Sequence, residues 1–243
     1  MPSRTVITMI ISPNFKYIFY KPIKCAGSSI EKALLSKCSP EALSTGGWNF
    51  VTGEQEYHSQ NNVFRDGEHI VTRFHAHTHP EHFLRKIKNP EYYQDYRTIS
   101  VVRNPWDTMV SYYFWCLRLS EHGSTSPKDY SSDFTDWLTR VQYFKSYGSE
   151  ENSKVLGSSL EYVCWINEKF WLDPNIEYFV RFENLEKDFS DLCTTLRIPH
   201  SDLSSLKAGH RENVSYREFY NNDTRKLVEE HFQKTIKKFE YTF

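Results

Sequence analysis

Strand-like and helix-like segments alternate along most of this chain, and that alternation restricts it to an α/β fold. Tyr17–Tyr20, His69–Phe74, Arg97–Val102 and Glu177–Phe182 are short runs rich in aromatic or β-branched residues, the composition of strands. Helical spacing follows each of them. Ile30, Ala33 and Leu34 form one apolar face, and a helix is expected around Glu81–Ile87. Trp106, Val110, Tyr113 and Leu117 form another face, as do Leu185, Phe189, Leu192 and Leu196. A last helix is expected from Asp223 to Phe239, carrying Val228, Phe232 and Ile236. Strands alternating with helices predict a central, mostly parallel sheet flanked by helices. In such sheets ligands sit outside the carboxyl ends of the strands.

The chain has 243 residues, enough for one α/β domain over 1–243. The polar stretch Ser39–Gly67 reads as an irregular, insertion-like excursion, and Glu121–Asp133 and Gly148–Ser158 read as surface loops. The apolar run Val6–Ile11 is too short to span a bilayer and lacks a signal-peptide cleavage pattern, so it reads as a buried strand. These features predict a soluble protein of the cytoplasm or another intracellular compartment, with no membrane span. The five cysteines form no CxxC pair, which argues against a disulfide framework and for a reducing compartment. A formal net charge of −1 leaves no global basic field for nucleic acid. Aromatic residues make up 16% of the chain. Tyr112–Trp115 and Trp137–Phe144 could line an acceptor pocket, although an aromatic stripe at helical spacing is more often core.

Two segments carry chemistry. In the first, Tyr20-Lys-Pro-Ile-Lys-Cys-Ala-Gly-Ser-Ser-Ile30, a strand ends, a turn of small residues follows and a helix begins. Ser28 with Glu31 has the spacing of a capping box. Unpaired N–H groups at a helix start and the positive end of the helix dipole attract anions. Gly27 permits close approach, Ser28 and Ser29 offer hydroxyls, and Lys24 adds charge. An ordinary strand-to-helix turn with a capping serine accounts for the same residues. The segment is not GxxxxGK[ST], since its lysine precedes the glycine. In the second, Val101-Val-Arg103-Asn-Pro-Trp-Asp-Thr-Met-Val-Ser111, Asn104 and Pro105 cap and open a helix. Ser111 lies about two helical turns beyond Asn104, so Arg103 and Ser111 can face one phosphate. A surface ion pair and a solvated serine are the alternative.

Together the two segments resemble the nucleotide signatures of the sulfotransferase superfamily that uses 3′-phosphoadenosine 5′-phosphosulfate. Arg181-Phe-Glu-Asn-Leu185 is similar to a further family segment, and the ending through Phe239-Glu-Tyr-Thr-Phe243 resembles the carbohydrate-type branch. The resemblance implies a P-loop-like sulfotransferase fold. It implies that Lys24, Ala26, Gly27, Ser28 and Ser29 hold the 5′-phosphosulfate, and that Arg103 and Ser111 hold the 3′-phosphate. The loop with Arg211 would close over that phosphate, and adenosine 3′,5′-bisphosphate would be the product. The order Lys21-Pro22-Ile23-Lys24 departs from the family's proline–lysine pair, so Lys21 is a second candidate for the lysine role. The acceptor would be a hydroxyl compound, with carbohydrate as one class.

Such a hydroxyl needs a base. His75, His77, His79 and His82 cluster after a strand, and histidine has a suitable pKa. His77 is the first choice and His75 the second, alongside Lys24 as the catalytic cation. The histidine spacing matches no HExxH zinc motif, and the family needs no metal. Two rivals differ in kind: a non-catalytic nucleotide- or carbohydrate-binding module of degenerate sulfotransferase fold, and a nucleotide-dependent phosphotransferase. The second would need the missing Walker loop.

Overall fold

The computed structural model describes residues 9–40, 42–44, 63–66, 69–72, 80–87, 89–121, 133–140, 168–203 and 214–243. In chain order the elements begin β1 (Ile10–Ser12), β2 (Tyr17–Phe19), α1 (Gly27–Leu35), β3 (Leu43–Ser44), β4 (Val63–Asp66), β5 (His69–Thr72) and α2 (Pro80–Lys86). They continue with β6 (Arg97–Val102), α3 (Pro105–Glu121), α4 (Phe134–Arg140), α5 (Glu168–Trp171), β7 (Tyr178–Arg181), α6 (Leu185–Thr195), α7 (Asn222–His231) and α8 (Gln233–Phe239). The chain forms two compact units. One comprises Ser3–Val102 and Asp173–Leu206, and the other Met1–Pro2, Arg103–Leu172 and Lys207–Phe243.

The first unit is built on a sheet of order β3-β1-β2-β6-β7. β2, β6 and β7 are parallel neighbours, with Phe19 opposite Ile99 and Val101 opposite Val180. β1 adds to β2, and β3 to β1, in antiparallel register. The α/β class expected from the alternation is therefore what forms, with a parallel centre and an antiparallel edge. Alternation along each strand sends Tyr17, Phe19, Ile99, Val101 and Val180 to one face. There they meet Ile30, Ala33 and Leu34 of α1 and Phe189, Leu192 and Cys193 of α6. Tyr17, Phe19, Ile30, Leu34, Ile99 and Phe189 are all fully enclosed. Each such side chain contributes about 1.5–3 kcal/mol relative to exposure. Beyond β2, Tyr20 meets Phe83 of α2 edge-on at 6.2 Å, and Phe83 in turn meets Tyr93 at 5.6 Å. Burial pushes the phenol pKa values of Tyr17 and Tyr20 well up, so both remain neutral. The stretch 39–67, expected to be irregular, carries β3 and β4 at its two described ends. β4 pairs with β5 in antiparallel register, and the β-branched Val63 and aromatic Phe64 suit a strand despite their polar surroundings.

The described residues of the second unit are mainly helical. Tyr113 lies 5.3 Å from both Phe134 and Trp137, and Phe134 lies 5.0 Å from Tyr220. The rings of Tyr112, Tyr113, Phe134 and Trp137 are buried. The aromatic stripe is thus core at these positions. At the carboxyl end the single helix expected over Asp223–Phe239 is two helices, broken at Phe232 (φ −115°, ψ 27°). The cause comes from another element. The carboxylate of Glu168, on α5, accepts N–H bonds from Lys234 (3.2 Å) and Thr235 (2.8 Å) and the Thr235 hydroxyl at 2.9 Å. It thereby stabilises a new helix start beside the buried Phe232. Asn221 caps α7 in the usual way, accepting from Asp223 and Thr224. Among the described residues no helix is long and apolar enough to cross a membrane.

Glu168→Ala should lower the free energy of unfolding by about 1 kcal/mol, the scale of a lost N-cap. Urea titration of the variant beside Glu168→Gln, which keeps one acceptor oxygen, measures it. An unchanged midpoint in the alanine variant would refute the role given to this cap.

Candidate functional site

The first constellation lies where β2 ends. Tyr20 extends the parallel pairing by donating its N–H to Ile99 O at 2.8 Å. The chain then turns through residues 21–26. Pro22, Ile23 and Cys25 are buried, while Lys24 and Ala26 are half-buried. The Cys25 thiol donates to Ile23 O at 3.3 Å, closing the turn on itself. Lys24 (φ 62°) and Ala26 (φ 57°) both adopt the left-handed conformation. For residues with a Cβ this costs about 1–2 kcal/mol each. Strained backbone of this kind clusters at ligand clamps, and left-handed residues in a turn gather successive N–H groups into an anion-binding concavity.

α1 then starts at Gly27. Its N-cap is Ala26, whose carbonyl accepts from Ser29 (3.0 Å) and Ile30 (3.4 Å). The N-cap residue is an alanine, with no side-chain acceptor of its own, so the Ser28–Glu31 capping box does not form. The reason lies below the turn. Lys21 Nζ donates to Glu31 Oε2 at 2.9 Å, and the two side chains are 4% and 0% exposed. Glu31 is drawn inward to a buried ammonium instead of back over the helix start. Gly27 has a packing role as well: a Cβ there would stand 2.4 Å from Lys21 Cγ. Lys21 is therefore an interior residue, and Lys24 is the lysine carried by the turn itself. Ser28 is half-buried and Ser29 buried.

The second constellation opens α3. Asn104 caps the helix as expected, with Oδ1 accepting from Trp106 N (3.0 Å) and Asp107 N (3.4 Å). Its amide nitrogen donates to Thr242 O at 3.1 Å and to the Tyr216 hydroxyl at 3.4 Å. The Phe243 ring packs edge-on against Trp106, Tyr216 and Tyr220 at 5.5–5.8 Å between centroids. The Arg225 guanidinium lies 4.8 Å from the centroid of that ring. Tyr220 donates to Trp106 O at 2.9 Å. The helix start is thus bolted to the final residues of the chain. Arg103 directs Nε and Nη2 to Asp107 Oδ2, at 2.8 and 2.7 Å, and both side chains are nearly buried. Asp107 fixes the guanidinium plane, and Ser111, half-buried, sits one turn further along the same helix face.

Sequence reasoning missed Asp107 as the arginine's anchor, although the i,i+4 spacing from Arg103 signals it. It also missed the partnership of Lys21 and Glu31, which no periodicity announces. Arg181 closes β7 and donates its N–H to Asp188 Oδ2 at 2.9 Å, tying the strand end to α6. His75, His77 and Arg211 lie outside the described residues. Among the described residues no group of three or more His, Cys, Asp or Glu is arranged to hold a metal.

Comparison with protein-family models and with curated proteins finds no match. Among solved structures, the chain is similar to mouse sulfotransferase SULT7A1 complexed with PAP, with a TM-score of 0.37 and 18% identity. The match covers 63% of this chain and 62% of that one.

Asn104→Ala should cost about 1–2 kcal/mol, from loss of a helix cap whose amide is also bonded to the chain end. Asn104→Asp, which retains the cap, should recover part of it. Thermal unfolding of the two variants distinguishes them, and equal midpoints would show that capping is not what Asn104 contributes.

Proposed function

We infer that the protein is a sulfotransferase, moving a sulfonate group from 3′-phosphoadenosine 5′-phosphosulfate to an acceptor hydroxyl, with carbohydrate as the acceptor class, and that residues 1–243 serve this as one domain. The observation that carries the reading is the turn after β2. It leads into a helix whose N-cap is an alanine with no side-chain acceptor, contains two left-handed residues and bears Lys24. A backbone cradle of this kind suits a phosphate or sulfate group. The positioned arginine and serine at the start of α3 support a site for a second, remote phosphate.

In this reading Lys24, with the backbone and hydroxyls of Ala26, Gly27, Ser28 and Ser29, holds the 5′-phosphosulfate. Arg103, Ser111 and Arg211 hold the 3′-phosphate, whose binding energy fixes the donor. The acceptor oxygen attacks sulfur in line. The bond from sulfur to the bridging phosphate oxygen breaks, and that oxygen leaves with its electron pair as part of adenosine 3′,5′-bisphosphate. Lys24 neutralises the charge developing there. The acceptor proton passes to His77, with His75 the second choice. No metal takes part.

Radiolabelled donor offered with a panel of carbohydrate acceptors tests the activity. Lys24→Ala should lower turnover about 10²–10³-fold, the range for loss of one charge-stabilising donor. Arg103→Ala should weaken adenosine 3′,5′-bisphosphate binding at least about tenfold, the scale of a lost charged hydrogen bond, and leave adenosine 5′-monophosphate unaffected. A wild-type protein that binds the two nucleotides equally overturns the reading. His77→Asn should lower kcat and remove the acid limb of its pH profile, whereas an unaltered profile would exclude His77 as the base.

A further inference from the structure

We propose that the buried Lys21–Glu31 ion pair is a positioning device, clamping the end of β2 to α1 so that the turn between them keeps its anion-binding shape. The proposal deepens the sulfotransferase reading and takes its ligand from it. Tyr20, tied to β6 through Ile99 O, immediately precedes Lys21. Glu31 lies on α1 beyond its first turn. The ion pair therefore closes the loop that contains Lys24, Ala26, Gly27 and Ser28.

Contacts at several points restrain this loop. The Cys25 thiol bonds Ile23 O within the turn. The Lys21 stem lies against Gly27, and its ammonium bonds Glu31. These two Lys21 contacts span from strand to helix. Left-handed residues with a Cβ persist where their surroundings over-determine them, and the spanning contacts supply that constraint for Lys24 and Ala26. Stability alone gives little reason for the pair. The desolvation of two buried charges offsets most of their attraction, so apolar replacements of similar volume are often neutral or stabilising. Direction is what the pair adds. An ammonium–carboxylate bond fixes the Lys21 stem, and the stem fixes how closely Gly27 can approach the sheet. The pair is also neutral as a unit. A carboxylate alone beneath this turn would repel the anion that the turn is shaped to take.

The test uses the full chain with Lys21→Met and Glu31→Leu combined, so that no lone charge is left buried, and Glu31→Asp as a variant that keeps both charges but shortens the reach. Amide hydrogen exchange is followed in the ligand-free proteins, and adenosine 3′,5′-bisphosphate is titrated calorimetrically. The double variant should unfold at or above the wild-type temperature. Its exchange at residues 24–28 should be at least about tenfold faster while β6 is unaffected, the signature of local rather than global opening. Its nucleotide affinity should fall at least about tenfold, or 1.4 kcal/mol. Glu31→Asp should show smaller shifts in the same directions, and it decides the matter if the double variant does not fold. Turn exchange within about twofold of wild type in a folded variant overturns the proposal, since local opening would then be independent of the pair. So does faster exchange across both β6 and the turn with a lowered midpoint, which would mark the pair as a plain stability element. If wild type binds no adenosine 3′,5′-bisphosphate, the sulfotransferase reading fails, and the exchange arm still decides whether the clamp exists.

Discussion

β6 is hydrogen-bonded in parallel register on both edges, to β2 through Phe19 opposite Ile99 and to β7 through Val101 opposite Val180. The geometry of the first unit rests on that double pairing. It directs the carboxyl ends of β2, β6 and β7 to one edge of the sheet, where parallel α/β sheets place their ligand loops. β2 runs from that edge into the Lys24 turn, and β7 runs through a short 3₁₀ segment into α6. Ile99 and Val101, enclosed among residues of α1 and α6, hold the strand against sliding. A one-residue slip would send both to the opposite face.

The helix starts show how local electrostatics is distributed. Asn104 fills the start of α3 and Asn221 that of α7, while Glu168 fills that of α8 from a different segment. α6 continues from a preceding 3₁₀ turn. At α1 the Ala26 carbonyl closes the first turn, and Ala26 itself has no side-chain acceptor. Helix N–H groups seek an acceptor, and each helix start carries the positive end of the dipole. The α1 start, with an alanine at its N-cap, is also preceded by a lysine in the left-handed conformation, and Ala26 itself is left-handed.

Much of this was legible in the sequence. β6 was expected over the residues it occupies, and Asn104 caps α3 as the Asn-Pro pair foretold. Both arise from interactions within a few residues, namely side-chain alternation, a short amide reaching the next N–H groups, and proline's fixed φ. The readings that changed involved choices between near and distant partners. Glu31 has the spacing of a capping acid but bonds Lys21. Val228, Phe232 and Ile236 continue one helical period, yet Glu168 on another element breaks it.

From its sequence alone this protein's α/β class, its strand-to-helix junction with Lys24 and Gly27, and the Asn104 cap of α3 were determined, because backbone period and capping are set by neighbours along the chain. Tertiary structure alone decided that Lys21 is interior, that Gly27 must lack a side chain because the Lys21 stem lies against it, and that Phe243 braces the start of α3. Competition among buried charges, ring packing and the fit of one stem beneath one glycine depend on which residues meet in space, and spacing along a chain does not encode that.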